Sequence, residues 1–182
     1  MNIRFEELSG VHIPRWQEFP AFELYIDQVI AFLNENLAVF NRNSEEPIIT
    51  PAMVNNYVKN GAIHAPIKKK YNRDHLAKLT VICIGKRMLS LSDLSESIAT
   101  MMRVFEIAEG YNLFCEEVEY QIKSVISPEQ FPHKTIQEAP SGEVAVMRSL
   151  ASAVATILVF DRLVDQRRRL GERANRLFGK NS

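Results

Sequence analysis

The chain has 182 residues, 46% of them hydrophobic and 24% charged, with Lys plus Arg and Asp plus Glu balanced at 22 each. That composition excludes a disordered or fibrous chain and leaves enough apolar surface for one core or two small ones. The zero net charge conceals blocks: residues 47–90 carry eight Lys and Arg against one acid and 146–182 eight against three, whereas 1–46 carry three against eight and 91–145 three against ten. Such segregation suits a nucleic-acid reader with an acidic remainder, or a fold whose blocks meet within one chain or across a dimer.

The opening residues, MNIRFEELSG, hold no basic stretch followed by an apolar run, so no secretory signal is expected. From Pro20 to Phe40, the side chains Phe22, Ile26, Val29, Leu33, Leu37 and Phe40 recur at helical steps and predict one amphipathic helix. NRNSEEP, at 41–47, reads as a loop. Thr50 and Pro51 then form a helix start, with Thr50 as N-cap and Pro51 at the first helical position, and Gly61 ends the helix as a C′ glycine. Residues 62–74, with Pro66 and the run Lys68, Lys69, Lys70, Tyr71, predict a tight hairpin or wing.

Apolar periodicity resumes from Leu76 to Leu89. Ser92, with Asp93 after it, is expected to cap the next helix, which carries Leu94, Ile98, Met101, Met102 and Phe105 inward. A further helix over 112–126 shows an acidic outer face of Glu116, Glu117 and Glu119, and the loop SPEQFPHKTIQEAPSG separates it from a last helix over 143–178. Its apolar half, SLASAVATILVF, is shorter than the roughly 20 residues a transmembrane span needs. It reads as a buried helix whose Ala145, Ser149, Ser152 and Thr156 permit close packing, and as a place for a dimer contact. In the charged half, Arg167 to Arg169, Arg173 and Arg176 interleave with Asp161, Asp165 and Glu172 as a solvated, ion-paired face. Cys83 and Cys115, far apart and without CxxC spacing, predict buried reduced thiols, no metal site and a cytosolic protein.

These elements predict a mainly α chain in three parts: an N-terminal arm at 1–19, a winged helix-turn-helix domain at 20–108, and a helical dimerisation or effector region at 109–182. In the helix after Thr50, Met53, Val54, Tyr57 and Val58 form an apolar face and Asn55, Asn56, Lys59 and Asn60 the opposite one. Asn is a poor helix former, but its amide pairs with adenine in a major groove while flanking lysines hold phosphates. The candidate DNA contacts are therefore Thr50, Asn55, Asn56, Lys59, Lys68, Lys69, Lys70, Tyr71 and Arg73.

The order of a helix, G-x-I-x-x-P from Gly61, a basic turn ending at Tyr71, a helix and the S-L-S-x-L step from Ser90 resembles the winged helix-turn-helix of MerR-type regulators. Trp16, LYIDQVI from Leu24, ITPAMVNNYVK from Ile49 and PIKKKYNRDHL from Pro66 are similar to a bacterial family of unknown function, the YkrK-like proteins, regarded as DNA-binding regulators. The resemblance covers about residues 15–100. It places the family's TIRYYE helix on Met53 to Val58, with Asn55 where Arg is usual, Asn56 at the first Tyr and Tyr57, expected to pack inward, at the second. The wing's R-x-Y falls on Lys69 to Tyr71. A long helix and a loop of nearly ten residues precede the recognition helix, which makes the motif atypical, and the metal sensors' cysteines have no equivalent.

The resemblance implies a dimeric, sequence-specific regulator of double-stranded DNA without cofactor or metal, and an effector is left open. The alternative is a helical interaction module whose basic wing docks an acidic protein. His12, His64, His75 and His133 fall in unrelated elements and no phosphate loop or nucleophile motif is present, so no enzyme is expected. His75, after Asp74, reads as a helix-entry residue.

Overall fold

The chain is mainly α in a computed structural model that describes residues 6–41 and 46–178; the predicted 41–47 loop lies largely outside these, as do the side chains of Arg173 and Arg176. In chain order the elements are α1 (Glu6–Ser9), β1 (Leu24–Tyr25), α2 (Ile26–Asn36), α3 (Pro51–Lys59), β2 (Lys70–Tyr71), α4 (Arg73–Gly85), α5 (Leu91–Met101), α6 (Ile107–Ile126) and α7 (Gly142–Phe178). Single 3₁₀ turns sit at Trp16–Glu18, Ala38–Phe40 and Ile136–Glu138.

The predicted 20–40 helix is shorter and starts later. Leu24 and Tyr25 are extended and pair antiparallel with Tyr71 and Lys70, and the Gln28 side chain accepts from the Tyr25 amide at 2.9 Å, closing the first turn of α2. Phe22, counted on the helix face, is instead 68% exposed. The α3 boundaries agree with the sequence. Thr50 Oγ1 accepts from Met53 N at 3.3 Å, and Gly61 takes φ +72°. Gly61 N bonds Val58 O and Ala62 N bonds Tyr57 O, at 3.0 and 2.9 Å, the two reverse bonds of a Schellman C-cap.

The cap of α5 is Ser90, not Ser92: Ser90 Oγ accepts from Asp93 N at 3.1 Å and donates to Asp93 Oδ2 at 2.7 Å. Asp93 occupies the third helical position, so the capping Ser stands three residues before it. Met102, expected inward, is 45% exposed beyond the end of α5.

The N-terminal segment is no free arm. Val11, Ile13 and Phe19 are buried, and Tyr111 donates to Pro14 O at 2.6 Å. Glu119 accepts Ile13 N at 2.7 Å and a two-pronged pair from Arg15, both prongs at 2.7 Å. Asn112 Oδ1 accepts Trp16 N at 2.8 Å. One apolar cluster runs from Leu8 through Leu33, Leu76 and Ile122 to Val159, so the core is continuous across residue 108.

The acidic run on α6 is not an outer face either. Glu116 is exposed, but Glu117 is buried and accepts Arg148 Nε and Gln121 Nε2, both at 3.0 Å, joining α6 to α7. Asp161, assigned above to a solvated face, is buried and paired with Arg87. Arg167 to Arg169 and Glu172 are exposed as expected. Both cysteines are buried free thiols, which burial pushes up to about 12. By length and composition Gly142–Glu172 could cross a membrane, with mean hydropathy 1.7 in its most apolar window, yet 44% of that window is buried in the fold. A core helix passes the same test.

Burial alone would raise the Glu119 carboxyl; the Arg15 hydrogen bond, the Ile13 amide and the Arg15 charge hold it below its usual 4.5. A depressed folded value gives stability that is present above the unfolded value and lost as pH falls through the folded one. Acid titration followed by tryptophan fluorescence should therefore show the parent losing stability below about pH 4.5, with that slope reduced in Glu119→Gln. Arg15→Ala should cost about 2–3 kcal/mol at neutral pH in urea unfolding, because it leaves a largely buried carboxylate underpaired.

Candidate nucleic-acid interface

The connector before α3 is held chiefly by one side chain, with Lys86 adding a bond to Ile48 O. Asn34, on α2, accepts Ile48 N at 2.7 Å and Ile49 N at 3.3 Å through Oδ1, and donates through Nδ2 to Ile49 O at 3.0 Å and Ile30 O at 2.8 Å. Its amide satisfies backbone groups that a buried loop would otherwise orphan, so α3 starts at a defined place. Val54 and Tyr57 of α3 are buried, and Tyr57 packs inward as expected.

The opposite face of α3 is open. Asn55, Asn56, Lys59 and Asn60 are exposed, and Asn55 has no hydrogen-bond partner among the described residues. Asn56 is different, because Asn60 Nδ2 donates to its Oδ1 at 3.0 Å and to its backbone O at 2.8 Å. Bidentate reading of adenine needs both amide groups free; of the predicted pair, Asn55 meets that condition as placed. Thr50 is half-buried and engaged in its cap.

After Gly61 the chain crosses to a tight turn in which Lys70 N bonds Ile67 O at 2.9 Å. The central residues, Lys68 and Lys69, have φ 50° and 63°. Two positive φ values define a type I′ turn, which ordinarily selects Asn-Gly because a Cβ in the left-handed region is strained. Here two lysines occupy it, both exposed and free of partners among the described residues. Lys70 is half-buried with its ammonium 5.7 Å from the centre of the Tyr25 ring.

Two predicted contacts belong to the scaffold. Tyr71 is only 4% exposed, pairs with Leu24 in the sheet and stands edge-on to His75 at 5.2 Å. Arg73 donates to Phe19 O at 3.0 Å and Pro20 O at 3.2 Å, which ties the start of α4 to the N-terminal segment. Their neighbours Leu24 and Phe19 lie 47 and 54 residues away in sequence, so spacing could not reveal this. His75 is a helix-entry residue: its backbone N donates to Asn72 Oδ1 at 3.2 Å, and its ring bonds Asn72 and His64 O. Burial holds its imidazole below the ordinary value despite the His64 carbonyl and nearby Asp74. Asn34 was missed altogether; a lone Asn in a helical pattern carries no signal of what it will staple.

The structure thus defines a mainly α protein in which a capped helix with a free polar face is followed at once by a strained, doubly basic turn. A family model spans residues 14–118 and takes in all nine candidate positions; the chain belongs to this family, described as a domain of unknown function (DUF1836). No curated protein and no solved structure matches the chain.

Replacing Lys68 and Lys69 by Asn and Gly should raise stability by about 1–2 kcal/mol, the relief of left-handed strain at two positions. Urea unfolding of Lys68→Asn/Lys69→Gly checks it, and an unchanged midpoint would refute strain in the turn.

Proposed function

We propose that the protein is a cytosolic, sequence-specific DNA-binding regulator of MerR-like winged-helix type, acting as a dimer on double-stranded DNA. The order β1, α2, α3, tight turn, β2, α4 supports this reading, with the turn as a minimal wing and β2 returning to the strand that enters α2. The observation that carries it is the pair of lysines in left-handed backbone at the tip of that turn. Strain kept at exposed positions, where Asn-Gly would relieve it, argues that the positive charge is wanted there. Asn55 reads a base edge from α3, Lys59, Lys68 and Lys69 hold phosphates, and Thr50, Asn56 and Lys70 contribute locally. Tyr71 and Arg73 set the turn's position.

The second reading, an interaction module for an acidic protein, draws on exposed apolar side chains around the turn: Phe22 and Ile67 at 68% and Tyr25 at 55%. A partner held there would be released by salt and left in place by competing duplex DNA.

Selection from a random duplex library at physiological salt should enrich a two-fold motif with half-sites about one helical turn, roughly 34 Å, apart. Lys68→Ala/Lys69→Ala should weaken binding to every duplex and flatten the log affinity against log salt slope by roughly two. Asn55→Ala should relax preference at one base, worth about 1–3 kcal/mol, with a smaller effect for Asn56→Ala. Unchanged affinity in the double lysine variant would overturn the assignment.

A further inference from the structure

Four helices, α4 to α7, stand around a cleft of about 600 Å³, part of it open to solvent, which is the size of a small-molecule site. Val81, Ile98, Met101, Phe105, Phe114 and Met147 make its walls. Ile98, Met101 and Phe105 belong to the apolar row that periodicity turns inward, and they pack against the core while staying half-exposed. A row that reaches the core without being covered by it keeps apolar area for a guest to bury. Three of the chain's six methionines, Met101, Met102 and Met147, line the cleft. Unbranched and polarizable, they re-pack around guests of varied shape.

Polar groups enter this lining from Lys78, Ser97, Glu106 and Tyr111. Two of them are engaged: Ser97 donates to Asp93 O at 2.8 Å and Tyr111 to Pro14 O at 2.6 Å. Glu106, at the head of α6, is exposed, so water meets its charge. Lys78 is only 8% exposed. Its ammonium contacts His64 Nε2 at 3.2 Å, and no ion pair joins it to a carboxylate among the described residues. An imidazole nitrogen that accepts is uncharged, so this bond satisfies one of three N–H groups and leaves the charge unopposed. Buried charges are paired as a rule. A buried cation without a carboxylate, set in an apolar wall, specifies a guest with an apolar body and one anionic end.

We infer that the cleft binds an unbranched acyl chain ending in a carboxylate, of the size of a medium-chain fatty acid. The tail lies along Ile98, Met101, Phe105 and Met147, and the carboxylate accepts from Lys78. Two of the ammonium's N–H groups then gain a charged acceptor, and the half-exposed row is covered in the same event. His64 lies between α3 and the basic turn, so the carboxylate competes with that connector for one donor. The site itself does not depend on what the turn binds and is tested without DNA.

The experiment is methyl NMR of the full chain labelled with methyl-¹³C methionine, titrated with decanoate below its micelle concentration. The methyls of Met101, Met102 and Met147 should shift saturably while those of Met53 and Met88, outside the cleft lining, hold their positions. Decanol, with the same tail and no charge, should bind about 10–100-fold more weakly, the worth of a charged hydrogen bond. Lys78→Met should bring decanoate down to the level of decanol and leave decanol unchanged, and Ile98→Trp, which fills the cleft, should exclude both, with circular dichroism confirming the fold of each variant. Equal binding of decanoate and decanol to the parent would overturn the inference, and that comparison stands even where Lys78→Met does not fold. Shifts confined to other methionines, or no saturable shift, would overturn it as well. Tighter binding of decyltrimethylammonium than of decanoate would do the same and make Glu106 the partner of the head group.

Discussion

Two glutamates on α6 hold the fold from opposite sides. Glu117 and Glu119 stand two positions apart, about 200° around a helix, so they cannot serve one neighbour. Glu119 takes the N-terminal segment through Ile13 and Arg15, and Glu117 takes α7 through Arg148, itself bonded to Thr135 O at 2.8 Å. Taking a carboxylate out of water costs several kcal/mol, and the attraction of one arginine offsets that only when further hydrogen bonds complete the geometry. Each glutamate has both. The pairs specify where the two ends of the chain dock, while the apolar cluster around Leu33, Leu76 and Ile122 supplies the driving force.

The turn at Lys68 and Lys69 depends on that docking at one remove. Glu119 fixes Arg15, the segment runs on through buried Phe19, and the carbonyls of Phe19 and Pro20 then receive Arg73 at the head of α4. Tyr71, immediately before α4, pairs with Leu24, so the turn is held at both its strand and its helix. A two-residue ladder is too short to persist alone. It persists because β1 and β2 are each continuous with a packed helix, and that rigidity lets two side chains stay in a backbone region they would otherwise leave.

Signals carried by neighbouring residues were legible in the sequence: Thr50 with Pro51, Gly61 past the end of α3, the buried pattern of Tyr57, the length of α7. The first three are settled within one or two helical turns by capping or periodicity, and the last by a pattern sustained along the 37 residues of the helix. What sequence could not carry was the destination of a charge. Glu117 and Asp161 read as solvated because acids usually are, and Arg73 read as a phosphate ligand because it follows three lysines; their partners lie 31, 74 and 53 to 54 residues away. The late start of α2 has the same cause, since Phe22 falls at helical spacing from Ile26 and only the pairing of Leu24 with Tyr71 shows that the chain is still extended there.

The charge excess that first marked residues 47–90 shrinks accordingly. Of its eight bases, Arg87 pairs with Asp161, Arg73 holds two carbonyls, Lys86 donates to Ile48 O, Lys78 is buried against His64 at 3.2 Å, and Lys70 lies over Tyr25. Those five serve the fold. Lys59, Lys68 and Lys69 stay exposed and without partners among the described residues, and all three sit in α3 or in the turn that follows it. Composition located a basic segment; packing removed the bases that a core or a neighbour consumes. The remainder is smaller than the count suggested but confined to one stretch of chain, and it is this confinement, more than the sum, that gives a local field something to act on.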